Sequence, residues 1–83
     1  MKRVVVNIYL KEGVLDPQGK AVHHALDSLG FGEVVEDVRI GKQIVLKLNS
    51  ASDKEAKEEA IKMCESLLAN TVIENYDIEI SDV

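Results

Sequence analysis

Apolar and polar positions alternate along residues 3–10. Val4, Val6, Ile8 and Leu10 fall on one side, and Arg3, Val5, Asn7 and Tyr9 on the other. A period of two predicts a strand with one strongly apolar face. Lys11 to Leu15 form a connection, and Asp16-Pro17 reads as a helix start, since Asp caps well and Pro at the first helical position has no N–H to leave unpaired. Val22, Ala25, Leu26 and Leu29 then follow at i, i+3, i+4 and i+7, a single apolar stripe, with Gly30 as the expected stop. Val34–Ile40 is rich in β-branched residues and predicts a second strand, with a bulge where Val34-Val35 breaks the alternation. Gly41-Lys42 reads as a hairpin turn into a third strand, where Ile44, Leu46 and Leu48 alternate. Ser52 with Glu55 three residues on is a capping box, opening a helix whose inner stripe is Ala56, Ala60, Met63, Cys64 and Leu67. Asn70 is the expected helix stop. Ile73–Ile80 closes the pattern as a strand with Tyr76, Ile78 and Ile80 on one face.

The predicted order is β-α-β-β-α-β. It points to a two-layer α+β domain with a four-stranded antiparallel sheet and two helices on one face, in the ferredoxin-like manner. With Val4, Val6, Ile8, Ile44, Leu46 and Leu48 turned to the helices, Val5, Tyr9 and Val45 fall on the opposite face. Apolar residues on neighbouring strands form a self-complementary patch of the kind a two-fold dimer uses, so these three are the candidates for self-association.

Length and charge narrow the class. The 83 residues fit one domain, 1–83, with no internal repeat or linker. The longest unbroken apolar runs, such as Val4–Val6, are far short of a membrane span, and no signal peptide is visible. Ten basic against fifteen acidic residues leave a net charge of −5 with no basic run, so neither nucleic acid nor a membrane is the expected partner. A single cysteine, Cys64, excludes an internal disulfide and suggests a reducing compartment, hence the cytoplasm. For so short a chain, surface burial and chain ordering come to opposing terms of similar size, so a lone monomer is marginal and association is expected.

No group of residues assembles a catalytic set. His23 and His24 are adjacent, so on a helix their rings diverge by about 100°, whereas chelation wants i, i+4. Cys64 lies on the inner stripe and reads as a small buried apolar residue. The acidic groups Glu33, Glu36, Asp37 and Glu74, Asp77, Glu79, Asp82 lack the spacing of a calcium loop. Gly41-Lys42 precedes a strand rather than a helix, so it is no phosphate cradle, although a hairpin tip is a natural docking finger. These residues describe a non-enzymatic module that works through a partner. The alternative is a sensing module that binds an amino acid or nucleotide between subunits.

Three longer strings carry a resemblance. Leu10-Lys11-Glu12-Gly13-Val14-Leu15-Asp16-Pro17-Gln18-Gly19, then Val38-Arg39-Ile40-Gly41-Lys42, then Leu67-Leu68-Ala69-Asn70-Thr71-Val72-Ile73-Glu74-Asn75-Tyr76 together resemble the PurS family. That family is the small accessory subunit of phosphoribosylformylglycinamidine (FGAM) synthase, and the resemblance runs from the first strand to about Ile80. It implies a non-catalytic adaptor in de novo purine synthesis, with the fold of that family as a variant of the ferredoxin-like one. The complex converts formylglycinamide ribonucleotide, ATP and glutamine to the amidine, ADP, phosphate and glutamate. A large PurL-type synthetase subunit uses ATP and magnesium, and a PurQ-type glutaminase subunit with its own catalytic cysteine releases ammonia. The resemblance also implies a homodimer or tetramer, no cofactor bound by the chain itself, and no catalytic role for Cys64. The family strings sit at loops and element ends. Asp16, Pro17, Gly41 and Asn70 have structural reasons to be there, which leaves Lys11, Glu12, Arg39, Lys42, Thr71 and Glu74 as the candidates for partner contact.

Overall fold

The computed structural model describes residues 1–83. Its centre is β1 (Lys2–Leu10), flanked on both sides by antiparallel partners, β2 (Gly41–Leu48) and β3 (Glu74–Asp82), in the order β2-β1-β3. Register is in step across all three strands: Val6 lies between Ile44 and Ile78, and Val4 between Leu46 and Ile80. The alternation read along each strand therefore delivers one continuous apolar face.

Helix α2 (Asp53–Met63) covers that face over β1 and β3. The capping box forms: Ser52 Oγ accepts from the Glu55 N–H at 3.2 Å, and Glu55 Oε2 accepts from the Ala51 N–H at 3.1 Å. Ala56, Ala60 and Cys64, four residues apart, meet Val4, Val6 and Ile8 in the buried core. Small residues on this line let the helix axis approach the sheet closely. Beyond Met63 the helix widens into a five-residue turn, Cys64–Leu68, closed by Ala69 N–H to the Cys64 carbonyl at 3.1 Å. The extra residue shifts the inward phase, so Leu68 packs on the core and Leu67, expected on the inner stripe, stands 83% exposed. Helix capping passes to Ala69 in extended backbone, and Asn70 instead opens the next turn, its carbonyl accepting from the Ile73 and Glu74 N–H groups.

The first helix, α1 (Pro17–Leu26), does not pack across the sheet. With a wide turn over Asp27–Phe31, ended where Gly30 takes φ +97°, it forms an arm that leaves the end of the sheet. The expected helix layer on one face is thus a single helix, and the expected four strands are three. Val34–Ile40 is the missing strand. It runs unpaired back along α1, with the His23 ring donating from Nε2 to the Val35 carbonyl at 3.0 Å. No hairpin forms at Gly41, which begins β2 without the positive φ that such a tight turn favours. Its glycine is needed for another reason, because a Cβ there would stand 2.7 Å from the Ile8 carbonyl oxygen.

The arm gives the chain an extent of 49 × 27 × 14 Å and a radius of gyration of 16.2 Å, where a compact domain of this length has about 12 Å. The sheet and its single helix layer carry the core without the arm. Replacing Ala60 by Leu pushes α2 off β1, and a loss of about 1–3 kcal/mol is expected, measured as a drop in the denaturant midpoint.

Candidate interaction surfaces

The root of the arm is built around one carboxylate. Asp16 is only 4% exposed. Its Oδ1 accepts from the Gly19 N–H at 2.9 Å, which is the helix cap foreseen for Asp16-Pro17. Its Oδ2 accepts from the Ile40 N–H at 2.7 Å, a bond across the two ends of the arm. These backbone donors, Ile40 foremost, hold the carboxyl below its ordinary 3.8, aided by the nearby Arg39 charge. The stabilisation is complete above 3.8 and is lost as pH falls through the lowered native value. Arg39 returns the link, its Nη2 donating to the Lys11 carbonyl at 3.1 Å and the Val14 carbonyl at 2.9 Å. Gly19 leaves no room for a side chain, since a Cβ would lie 2.3 Å from the Val38 carbonyl oxygen. The L-D-P-Q-G and V-R-x-G-K strings, with eighteen residues between them in sequence, are two halves of one joint.

Five of the six residues expected at a partner interface lie around this joint. Lys11, Thr71 and Glu74 line a hollow of about 250 Å³ with Glu65, Asn75 and Tyr76. Lys42 and Glu74 face a second hollow, of about 290 Å³, floored by Ile8, Leu10, Asp16 and Ile40. Glu74 belongs to both, and its Oε1 accepts from the Asn70 N–H at 2.7 Å, which closes the turn that carries Thr71. Arg39 sits at the joint itself. Glu12 is in the exposed loop between β1 and α1, outside both hollows. Tyr76 donates from its hydroxyl to Glu65 Oε2 at 2.7 Å, bracing β3 against the end of α2; this bond, with desolvation behind it, pushes the phenol up to about 12.

The outer face of the sheet carries no helix. Val5 and Val45 are directly paired across β1 and β2, with Tyr9 further along β1; Tyr9 is 41% and Val45 49% exposed. Between the Val5–Val45 pair and Tyr9 a polar row crosses the sheet: Gln43 Nε2 donates to Asn7 Oδ1 at 3.0 Å, and Asn7 Nδ2 donates to Asp77 Oδ1 at 2.8 Å and Glu79 Oε2 at 3.2 Å. The hollow beside His23 and His24 is lined by Lys20, Asp27 and Asp37, and no group of three or more potential ligands is placed to hold a metal ion. Burial raises the Cys64 thiol. No helix is long and apolar enough to cross a membrane. Sequence reasoning missed Gly19 and Lys2. Gly19 breaks helix propensity in a first turn, a legible sign of close approach. Lys2 pairs with Asp53, at 2.8 Å, and Asp82, tying the start of α2 and the end of β3 to β1, and had no signal.

Comparison with known proteins agrees across the whole chain. The model of the family described as PurS, phosphoribosylformylglycinamidine (FGAM) synthase, matches residues 3–82. The chain is 52% identical over 83 residues to the PurS subunit of phosphoribosylformylglycinamidine synthase from Bacillus subtilis, covering all of this chain and 96% of that one. PurS from Methanocaldococcus jannaschii, described as one of the subunits of formylglycinamide ribonucleotide amidotransferase in the purine biosynthetic pathway, superposes with a TM-score of 0.89 at 38% identity, over 100% of this chain and 99% of that one. A chain of the PurLQS structure from Thermotoga maritima superposes with a TM-score of 0.86 at 29% identity, covering 96% of each.

The Tyr76–Glu65 brace gives a direct check. In a Tyr9→Phe variant, which leaves Tyr76 as the only tyrosine, phenolate absorbance should titrate near 12, and adding Glu65→Gln should bring it back toward 10. A midpoint near 10 with Glu65 present contradicts the brace.

Proposed function

The chain belongs to the PurS family, the small subunit of FGAM synthase in purine biosynthesis and a component of the PurLQS complex, and from that premise we propose that it is a non-catalytic adaptor acting as a homodimer. The observation that carries this reading is the uncovered arm. A compact chain of this mass exposes about 4,900 Å²; this one exposes 5996 Å². The excess, roughly 1,100 Å², is the size of one side of a stable protein–protein interface. Its apolar part is specific: Leu15, Leu29, Phe31 and Val34 stand on the arm and its tip, each more than half exposed. The same chain offers a matching receptor. Helix α2 leaves β2 without a helix layer, so Ile44, Leu46 and Leu48 are only partly buried, and the outer edge of β2 has no partner. A second copy that lays its arm there covers both defects at once. The Val5, Tyr9 and Val45 face is then free to stack two dimers into a tetramer.

The adaptor role follows from what the site can and cannot do. The chemistry of the enzyme, glutamine hydrolysis and ATP-dependent amide transfer, needs a nucleophile and an ATP–magnesium site, and those belong to the PurQ-type and PurL-type subunits in this reading. Cys64 is enclosed by the core and has a raised pKa, the opposite of an activated thiolate. What the chain supplies is geometry, holding a glutaminase and a synthetase so that ammonia passes between them in the cytoplasm without loss to water. The charged end formed by Lys11, Lys42, Thr71 and Glu74, beside the joint that Arg39 occupies, is the proposed partner contact.

The test is reconstitution. With the large and glutaminase subunits, adding this chain should raise glutamine-dependent amidine formation at least about tenfold and leave ammonia-dependent formation by the large subunit unchanged. Turnover by the chain alone, or equal stimulation of both reactions, overturns the adaptor reading.

A further inference from the structure

The arm leaves the sheet through two single connections. The outgoing one runs from Leu10 to Asp16, and the incoming one through Ile40 to Gly41, at the ends of the adjacent strands β1 and β2. An arm attached in this way is a lever that can pivot at its root. Two struts cross between the connections in opposite directions. Asp16, on the outgoing side, receives the Ile40 N–H of the incoming side. Arg39, on the incoming side, grips the Lys11 and Val14 carbonyls of the outgoing side. The start of α1 and the returning segment are drawn so close that Gly19 has no space for a Cβ, which would lie 2.3 Å from the Val38 carbonyl oxygen. The Asp16 strut is buried, so swinging the arm would strip its carboxylate of a backbone donor without giving it full access to water. The arm's angle is thereby fixed relative to Lys42 and Glu74, which flank the same root.

We propose that Asp16 and Arg39 are positioning residues of the complex, a two-strut clasp that sets the angle between the arm and the charged end of the sheet. The proposal rests on the adaptor reading above and goes beyond it by assigning Arg39 to the joint within the chain. The arm carries the surface that a second copy covers, and the charged end carries the partner contacts. Their relative angle therefore fixes where the two partner subunits stand with respect to each other. A clasp that is loosened without being abolished leaves a folded chain that still assembles but holds its partners imprecisely. Glutamine-dependent transfer depends on alignment of two active sites, and ammonia-dependent transfer does not.

Two variants separate this from a role in stability. Arg39→Lys keeps the charge but shortens the side chain and removes the planar guanidinium whose Nη2 reaches both the Lys11 and Val14 carbonyls. Asp16→Asn keeps the Gly19 cap through its carbonyl oxygen but turns an amide NH₂ toward the Ile40 N–H. Lys20→Ala, exposed on the arm and outside the clasp, is the control. Amide exchange on the full-length chain should show Ile40 opening roughly tenfold faster in both clasp variants, with Val6 in β1 unchanged. In the reconstituted complex, at chain concentrations high enough to saturate assembly, glutamine-dependent turnover should fall at least about fivefold while ammonia-dependent turnover stays within about twofold. A purely stabilising role would be overcome by excess chain; a positioning role persists at saturation. Unchanged Ile40 exchange, or glutamine-dependent turnover restored to the unsubstituted level by excess chain, overturns the proposal. If the unsubstituted chain itself gives no glutamine stimulation, the adaptor reading fails, and the clasp as a positioning element of the complex falls with it, whatever the exchange shows. If Asp16→Asn does not fold, Arg39→Lys decides.

Discussion

A buried carboxylate at a chain crossing governs this molecule. Asp16 caps α1 and, with its other oxygen, takes the N–H of the residue that returns to the sheet. That second bond ties Val34–Ile40, whose composition favours a strand, to the root of the arm and away from the open edge of β2. With it, that segment is committed to the arm, β2 keeps an open edge, and the apolar stripe of α1 is carried away from the chain's own core. The elongated shape and the exposed apolar surface go with this arrangement of the arm. So does the need for association: a chain of this size with one helix layer over β1 and β3 has a core of seven buried apolar residues, too small to be generous with stability.

Most of the sheet was legible in the sequence because its signal is local. Alternation along 3–10, 44–48 and 73–80 named the inward residues correctly, and in-register pairing preserved that assignment across all three strands. The Ser52–Glu55 box and the Asp16-Pro17 start were equally legible, since caps are set by residues within one turn. The missing strand and the displaced helix were not. Periodicity states that Val34–Ile40 is extended and that Val22, Leu26 and Leu29 share a face, but not which surface each will meet. That depends on a bond between residues 24 positions apart and on surface absent from a single chain. The outward turn of Leu67 was hidden for a smaller reason, one inserted residue in the last turn of a helix.

In the sequence the family strings lie at loops and element ends, some of their residues with structural reasons to be there and others candidates for contact. The structure gathers them instead. Asp16, Gly19, Arg39 and Gly41 meet at the arm root, and Lys11, Lys42, Thr71 and Glu74 surround it. Three separate segments of sequence build one end of the molecule, joint and rim together. The proposed adaptor role would use this arrangement, because the rigidity of the joint and the placement of the contacts around it are one mechanical property.

The central claim is that the arm's apolar face is covered by a second copy of the same chain. Sedimentation equilibrium of the isolated chain measures this most directly, comparing the unsubstituted protein with Leu29→Asp, which puts a charge at the exposed tip of the arm without touching its root. The account predicts a species of twice the 9.2 kDa chain mass, or of four times that mass if the sheet faces also stack, and its dissociation toward monomer by the substitution. A folded, monodisperse 9.2 kDa protein at micromolar concentration, or an oligomer indifferent to Leu29→Asp, would contradict it.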